Sequence, residues 1–250
     1  MIKNNLLLFS ALAALLYWGF FNMLSLLFSG ISGTFDRLVI MMGGNFAGLI
    51  QAICFGIFFY CIIELLDMRK SLTKQFEGFD FKILPNEESI VISPQDVNKI
   101  KLDIVYLEKQ GVQNEINEFV KKACTQYRNE NSISETMQVL ENLISNKKGM
   151  RESALENIRF GVHANMSMGF IGTLIGLSAA IGKSYLAKTE EGIQELTGYL
   201  YTAFDTTLIA LIFAVIINYL YHQYIKDIDS FYARTNTYIV DNLISKIYNK

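Results

Sequence analysis

An uninterrupted apolar run over residues 5–29 is the feature that most constrains this chain. A backbone inside hydrocarbon has no water to bond, so a run of this kind crosses as a helix. The run overshoots the roughly 7–15 apolar residues of a signal-peptide core, which makes it a span, with Tyr17 and Trp18 as candidate interfacial anchors. A second apolar run covers residues 38–66, softened by Asn45 and Gln51, with Gly43, Gly44, Gly48 and Gly56 offering close packing. Both exceed the roughly 20 residues that a bilayer core demands, so a hairpin of two tilted helices is expected, joined by a tight polar turn at residues 30–37.

Two more runs lie near the other end. Residues 165–182 read NMSMGFIGTLIGLSAAIG, in which Gly169, Gly172 and Gly176 recur at three- and four-residue spacing and therefore share one helix face. Missing side chains on that face let a neighbouring backbone approach closely. Thr173 sits among them. Its hydroxyl can bond back to the carbonyl one turn earlier, or it can line a wet path between helices. After a short polar gap, residues 196–222 carry Thr202, Asp205, Thr206 and Thr207 in their first half. A helix that enters where the previous one left runs antiparallel to it, which sets Thr207 and Thr173 at comparable depth. Facing hydroxyls with a carboxyl nearby have the look of an ion path.

The composition agrees with a membrane protein that keeps a substantial wet part: 250 residues, 51% hydrophobic and 18% charged, with a mean hydropathy of +0.26. A net charge of -2 leaves no basic footprint for nucleic acid. Cys54, Cys61 and Cys124 lack metal spacing, and His163 and His222 flank the paired spans, where hydrated interfacial rings account for them. There is no Ser/His/Asp set, Walker loop or HExxH. The expectation is therefore no enzyme, no metal and no cofactor beyond a transported ion.

Between the hairpins, residues 67–158 read as a helical domain. Ser93, Pro94 and Asp96 form a capping box with proline at the first helical position, and Ser132 with Glu135 marks another helix start. Ile100, Ile104, Leu107, Ile116, Phe119 and Val120 recur at helical spacing, as do Met137, Leu140, Leu143 and Ile144. Charges such as Lys121, Lys122, Arg128 and Glu141 fit a solvated face. From Met150 the pattern stays helical into the third span, predicting one long helix. The fourth span runs on past His222 through Ile225, Ile228, Phe231, Tyr232, Thr235 and Ile239.

The sequence thus predicts an all-α, polytopic membrane protein with four transmembrane helices, divided as hairpin 1–66, helical domain 67–158, hairpin 159–223 and helical tail 224–250. Lysine and arginine set its orientation. Lys3, Arg69, Lys70, Lys74, Lys147, Lys148, Arg151, Arg159, Lys226 and Arg234 fall on one side, against Arg37, Lys183 and Lys188, the last two diluted by Glu190, Glu191 and Glu195. Both termini and the insertion are expected in the cytoplasm. A carboxylate at mid-bilayer costs roughly 2.5–3.5 kcal/mol, so Asp205 must face a wet interior or a partner. A polar role near the outer mouth, a bond to a neighbouring subunit's Thr202 or Thr206, and direct ion relay all remain open for it.

The stretch GFIGTLIG resembles the GL(L/F)GTVxGI signature in the penultimate span of the MotA/TolQ/ExbB proton-channel family, and AFDTTLIALIFAVIINYLYH resembles that family's last span. An apolar hairpin, a helical insertion, a second hairpin and a short tail is the MotA-type order; ExbB and TolQ types have one span before the insertion. The resemblance implies a homopentamer around a dimer of a single-span MotB/TolR/ExbD-like partner with an intramembrane aspartate, in the bacterial inner membrane. It places Thr173 and Thr207 on the family's path-lining threonines, sets Thr202 where ExbB-type chains carry a glutamate, and matches the family's prolines with Met166 and Ile216. The transported ion would be a proton or sodium. The competing expectation is a passive scaffold or receptor whose insertion binds a cytoplasmic partner without ion flow.

Overall fold

The computed structural model describes residues 2–28, 34–44, 48–81, 83–85 and 91–247. Residues 29–33 of the expected first turn, Asn45 and the side chain of Lys3 lie outside the described residues. Among those described the chain is all helix: α1 (Ile2–Phe28), α2 (Thr34–Met41), α3 (Leu49–Phe76), α4 (Pro94–Lys109), α5 (Glu115–Glu130), α6 (Ile133–Ala154), α7 (Glu156–Gly182) and α8 (Glu190–Asn242), with short 3-10 turns at Glu77–Phe81, Ser184–Lys188 and Ile244–Lys246. Four helical stretches among the described residues are long and apolar enough to cross a membrane: Leu8–Leu27, Leu49–Phe81, Ile133–Gly182 and Glu190–Lys246. The chain divides into two compact units, residues 1–66 with 156–222, and residues 67–155 with 223–250.

In the first unit the second span begins later than the apolar run does. Residues 34–37, expected in the turn, already belong to α2, and α2 stops at Met41. Gly43 then takes φ +102, and a Cβ on Gly44 would lie 2.7 Å from the Val39 carbonyl oxygen. Adjacent glycines break the helix here because they free the backbone for a reversal that other residues resist. Gly43 and Gly44 therefore build a turn, and Gly44 also packs closely on α1, where a methyl would come 3.0 Å from the Phe21 carbonyl oxygen. Gly56 packs as well: a methyl there would come 3.0 Å from Ala14 Cβ on α1.

The core of this unit gathers Cys54, Ile209, Ala210 and Phe213, with Met41, Met42, Ile50, Phe55, Phe58 and Met168 around it. Phe58 stacks on Phe213 at 4.6 Å and Tyr17 on Phe55 at 3.8 Å. Tyr17 is thus buried against α3 rather than standing as an interfacial anchor. Leu8, Phe9, Leu12, Leu15, Leu16, Phe20 and Met23 leave α1 largely exposed, as suits a helix that meets lipid. α3 turns Gln51, Cys54, Cys61, Glu64 and Leu65 inward, and Gly161 of α7 sits against the Cys61 sulfur with no room for a Cβ.

In the second unit three helices open on side-chain caps. Ser93 caps α4, with its hydroxyl accepting from the Asp96 N–H and the Asp96 carboxylate accepting from the Ser93 N–H. Ser132 caps α6 through the Glu135 N–H, and Asn114 caps α5 through the Asn117 N–H. Leu72, Ile104, Ile116, Phe119, Leu140, Ile228 and Phe231 are fully buried. The carboxyl end of α8 therefore supplies core to a unit whose other helices lie some hundred residues earlier. An isolated parallel bridge pairs Ile92 with Ile247. Burial pushes the Cys124 thiol up to about 12. Some charges do more than solvate a face: Arg151 bonds Glu115 at 2.6 Å and Tyr232 at 3.0 Å, and Lys121 holds Glu108. The single helix expected from Met150 onward is two helices, α6 and α7, meeting at Leu155, whose N–H bonds Glu152 rather than continuing the regular ladder.

Candidate functional site

Gly169, Gly172 and Gly176 form the α7 face that meets α8. A methyl at Gly169 would lie 2.5 Å from Ala210 Cβ, one at Gly176 2.7 Å from Ala203 Cβ and 2.9 Å from the Ala203 nitrogen, and one at Gly172 would overlap the Thr206 side chain. Lipid tails are as apolar as leucine, so such helices associate through close van der Waals contact and polar bonds. Three absent side chains bring α8 near enough for both.

Thr173 and Thr207 meet across that contact, their hydroxyl oxygens in direct hydrogen-bond contact. Thr173 Oγ1 also lies 3.3 Å from the Gly169 carbonyl oxygen and 3.2 Å from that of Ala203. Thr207 Oγ1 reaches the same two oxygens, at 3.2 Å and 3.1 Å. Four oxygens, two hydroxyl and two carbonyl, are thus met by three hydroxyl protons, the third being that of Thr206 on the Ala203 carbonyl. Each hydroxyl can donate once and accept twice, which leaves lone pairs in excess at the centre of the helix pair. Both threonines are half-buried. The cluster can receive a donor or a cation without any side chain being ionised.

The remaining residues of interest on α8 divide differently. Thr206 is buried against Gly172 and donates back to Ala203 O at 3.0 Å. Thr202 donates back to Gly198 O at 3.1 Å and stays outside the cluster. Asp205 precedes Thr207 by two positions, about 200° around a helix, and so points away from the threonines. It is buried and takes a two-pronged bond from Arg37, Nη1 to Oδ2 at 2.6 Å and Nη2 to Oδ1 at 2.7 Å. The Arg37 guanidinium also lies 4.3 Å from the centre of the Tyr201 ring. At the turn between α7 and α8, Lys183 bonds Glu195 and Tyr199, each at 2.5 Å. Hydrogen bonds to both raise the lysine above its ordinary value.

Sequence reasoning used Arg37 only to orient the chain and missed it as the counter-ion. The available signal was topological: a lone arginine ahead of one span and a lone aspartate in another, with the same end of the bundle open to both. Gly161 and Asn165 also went unnoticed. Asn165 is fully buried on α7, and its backbone oxygen accepts the Cys54 thiol at 4.0 Å.

A family model for the MotA/TolQ/ExbB proton channel family matches residues 112–236, half of the chain, from the end of the α4–α5 connection through most of α8. No curated protein and no solved structure matches the chain.

Proposed function

The chain belongs to the MotA/TolQ/ExbB proton channel family, and on that premise we propose that it is the channel-lining subunit of an ion-driven stator or energy-transducing complex. Five copies surround a dimer of a single-span MotB/TolR/ExbD-like partner in the bacterial inner membrane, with both termini and the second unit on the cytoplasmic side. The partner's intramembrane aspartate takes up and releases a proton or sodium ion, and the passage of the ion drives rotation or other mechanical work.

The observation that carries this reading is the pairing of Thr173 with Thr207 over the Gly169 and Ala203 carbonyl oxygens. An oxygen-rich cluster inside an apolar helix pair offers a passing hydrated ion partial replacement of its solvation. A charge crossing the bilayer releases about 2.3 kcal/mol per 100 mV, so a few ions per cycle suffice to move a ring of helices. Arg37 and Asp205 fasten α2 to α8 in this scheme and leave the carrying of the ion to the hydroxyls.

Replacing both hydroxyls by methyls tests it. Thr173→Val with Thr207→Val keeps shape and burial, and ion flux in reconstituted vesicles should fall at least about tenfold, which corresponds to about 1.4 kcal/mol on the barrier. Assembly, followed by native mass spectrometry, should stay unchanged. Normal flux and normal work under load in the double variant would leave the passive scaffold as the better description.

A further inference from the structure

Asn165 shares the α7 face of Gly169, Gly172 and Gly176, at spacings that put it in line with them. It has no exposed surface, and neither Oδ1 nor Nδ2 of its carboxamide has a hydrogen-bond partner among the described residues. Its backbone oxygen is the acceptor of the Cys54 thiol. One turn before Cys54 on α3 stands Gln51, 1% exposed, whose Oε1 is likewise without a partner. Two helices thus bring the Asn165 carboxamide and the Gln51 amide oxygen, both unanswered, to within a turn of one contact, inside the same unit.

Buried polar atoms in native proteins are bonded, and where no protein group reaches them a structural water does so, given two to four polar partners. We propose that Asn165 and Gln51 bind internal water between α3 and α7, and that this water extends the polar path from the threonine pair toward the Glu156 end of α7. The chemistry selects water over a cation: the two Nδ2 donors of Asn165 repel a cation, whereas water accepts from them and donates to Oδ1 and Oε1. A second copy of the chain cannot be the missing partner, since Asn165 has no surface to offer one. Eight residues separate Asn165 from Thr173, about 12 Å along a helix, and the glycine carbonyl at position 169 lies between them. The water site stands on these contacts alone; its place in a path rests on the ion-path reading above.

Radiolytic footprinting of the full-length protein in native membranes reads the site directly, because a short X-ray exposure turns bound water into hydroxyl radical that oxidises side chains beside it. Cys54, wholly buried, should be oxidised in the wild type alongside the exposed Met150, while the equally buried Cys124 of the second unit stays unmodified. Cys54 left intact while Met150 reacts overturns the water site, and that result needs no variant. In Asn165→Leu, Cys54 oxidation should fall at least about fivefold and ion flux should fall with it, as loss of a bridging water predicts. Lost oxidation with undiminished flux overturns the extension of the path. If Thr173→Val with Thr207→Val conducts normally while Cys54 is still oxidised, the ion-path reading fails and the water site stands.

Discussion

Asp205 is a carboxylate in a membrane span, and the side chain that makes it tolerable lies 168 residues away. Its side chain is 7% exposed, that of Arg37 40%. Removing one member of a fully buried pair costs about 3–5 kcal/mol, and water at Arg37 lowers the figure here, so Arg37→Gln should destabilise the purified protein by about 2–3 kcal/mol. Arg37→Gln with Asp205→Asn should recover most of that loss, as thermal unfolding in detergent would show. If the double variant is no better than the single one, the pair is not what holds α2 to α8. At this scale the sequence was half legible. Thr173 and Thr207 could be matched in depth because two consecutive apolar helices must run antiparallel. The Arg37 to Asp205 bond could not, because no local spacing connects α2 with α8. The orphan Gln51 amide oxygen and Asn165 carboxamide were equally hidden, since burial is decided by which face each helix turns inward.

Helix starts were the most legible elements, because capping chemistry is local. The Ser93 box and the Ser132 cap form as their spacing dictates. Ser93→Ala should cost about 1 kcal/mol and speed amide exchange in the first turn of α4, leaving α5 and α6 unchanged. Helix ends inside apolar runs were less legible: a glycine in lipid-compatible sequence can pack or turn, and Gly43 turns, Gly44 does both, while Gly169, Gly172 and Gly176 pack. The distinction makes a prediction for α7. Gly176→Ala forces a methyl against the Ala203 backbone, where little can yield, and should cost about 1–3 kcal/mol. Because the same shift parts Thr173 from the Ala203 carbonyl, flux should drop as well, whereas Gly149→Ala, with open space around it inside α6, should stabilise by about 0.5–1 kcal/mol and leave flux unchanged.

Each of the two units is assembled from segments that are not neighbours in sequence. For the second unit this makes the helical insertion incomplete without the tail: Ile228, Phe231, Tyr232, Ile239 and Leu243 are all buried in it. A fragment of residues 67–155 should melt without cooperativity by circular dichroism, and adding residues 223–250 in trans should restore a sigmoidal transition. The apolar period of the tail was visible in the sequence, but its membership in the insertion's core was not, since periodicity says that a face is covered and not by what.

The first unit carries the same discontinuity into the ribosome. Gly161, which closes over Cys61, is synthesised 100 residues after it, roughly 5–20 s later at the usual 5–20 residues per second. Throughout that interval the nascent α3 holds Cys54 and Cys61 in the translocon or lipid with the α7 and α8 residues that cover them not yet made. Chains stalled before Gly161 should therefore react at Cys61 with a membrane-permeant maleimide, and released full-length chains should not; equal reactivity in both would mean that something else shields this helix while it waits.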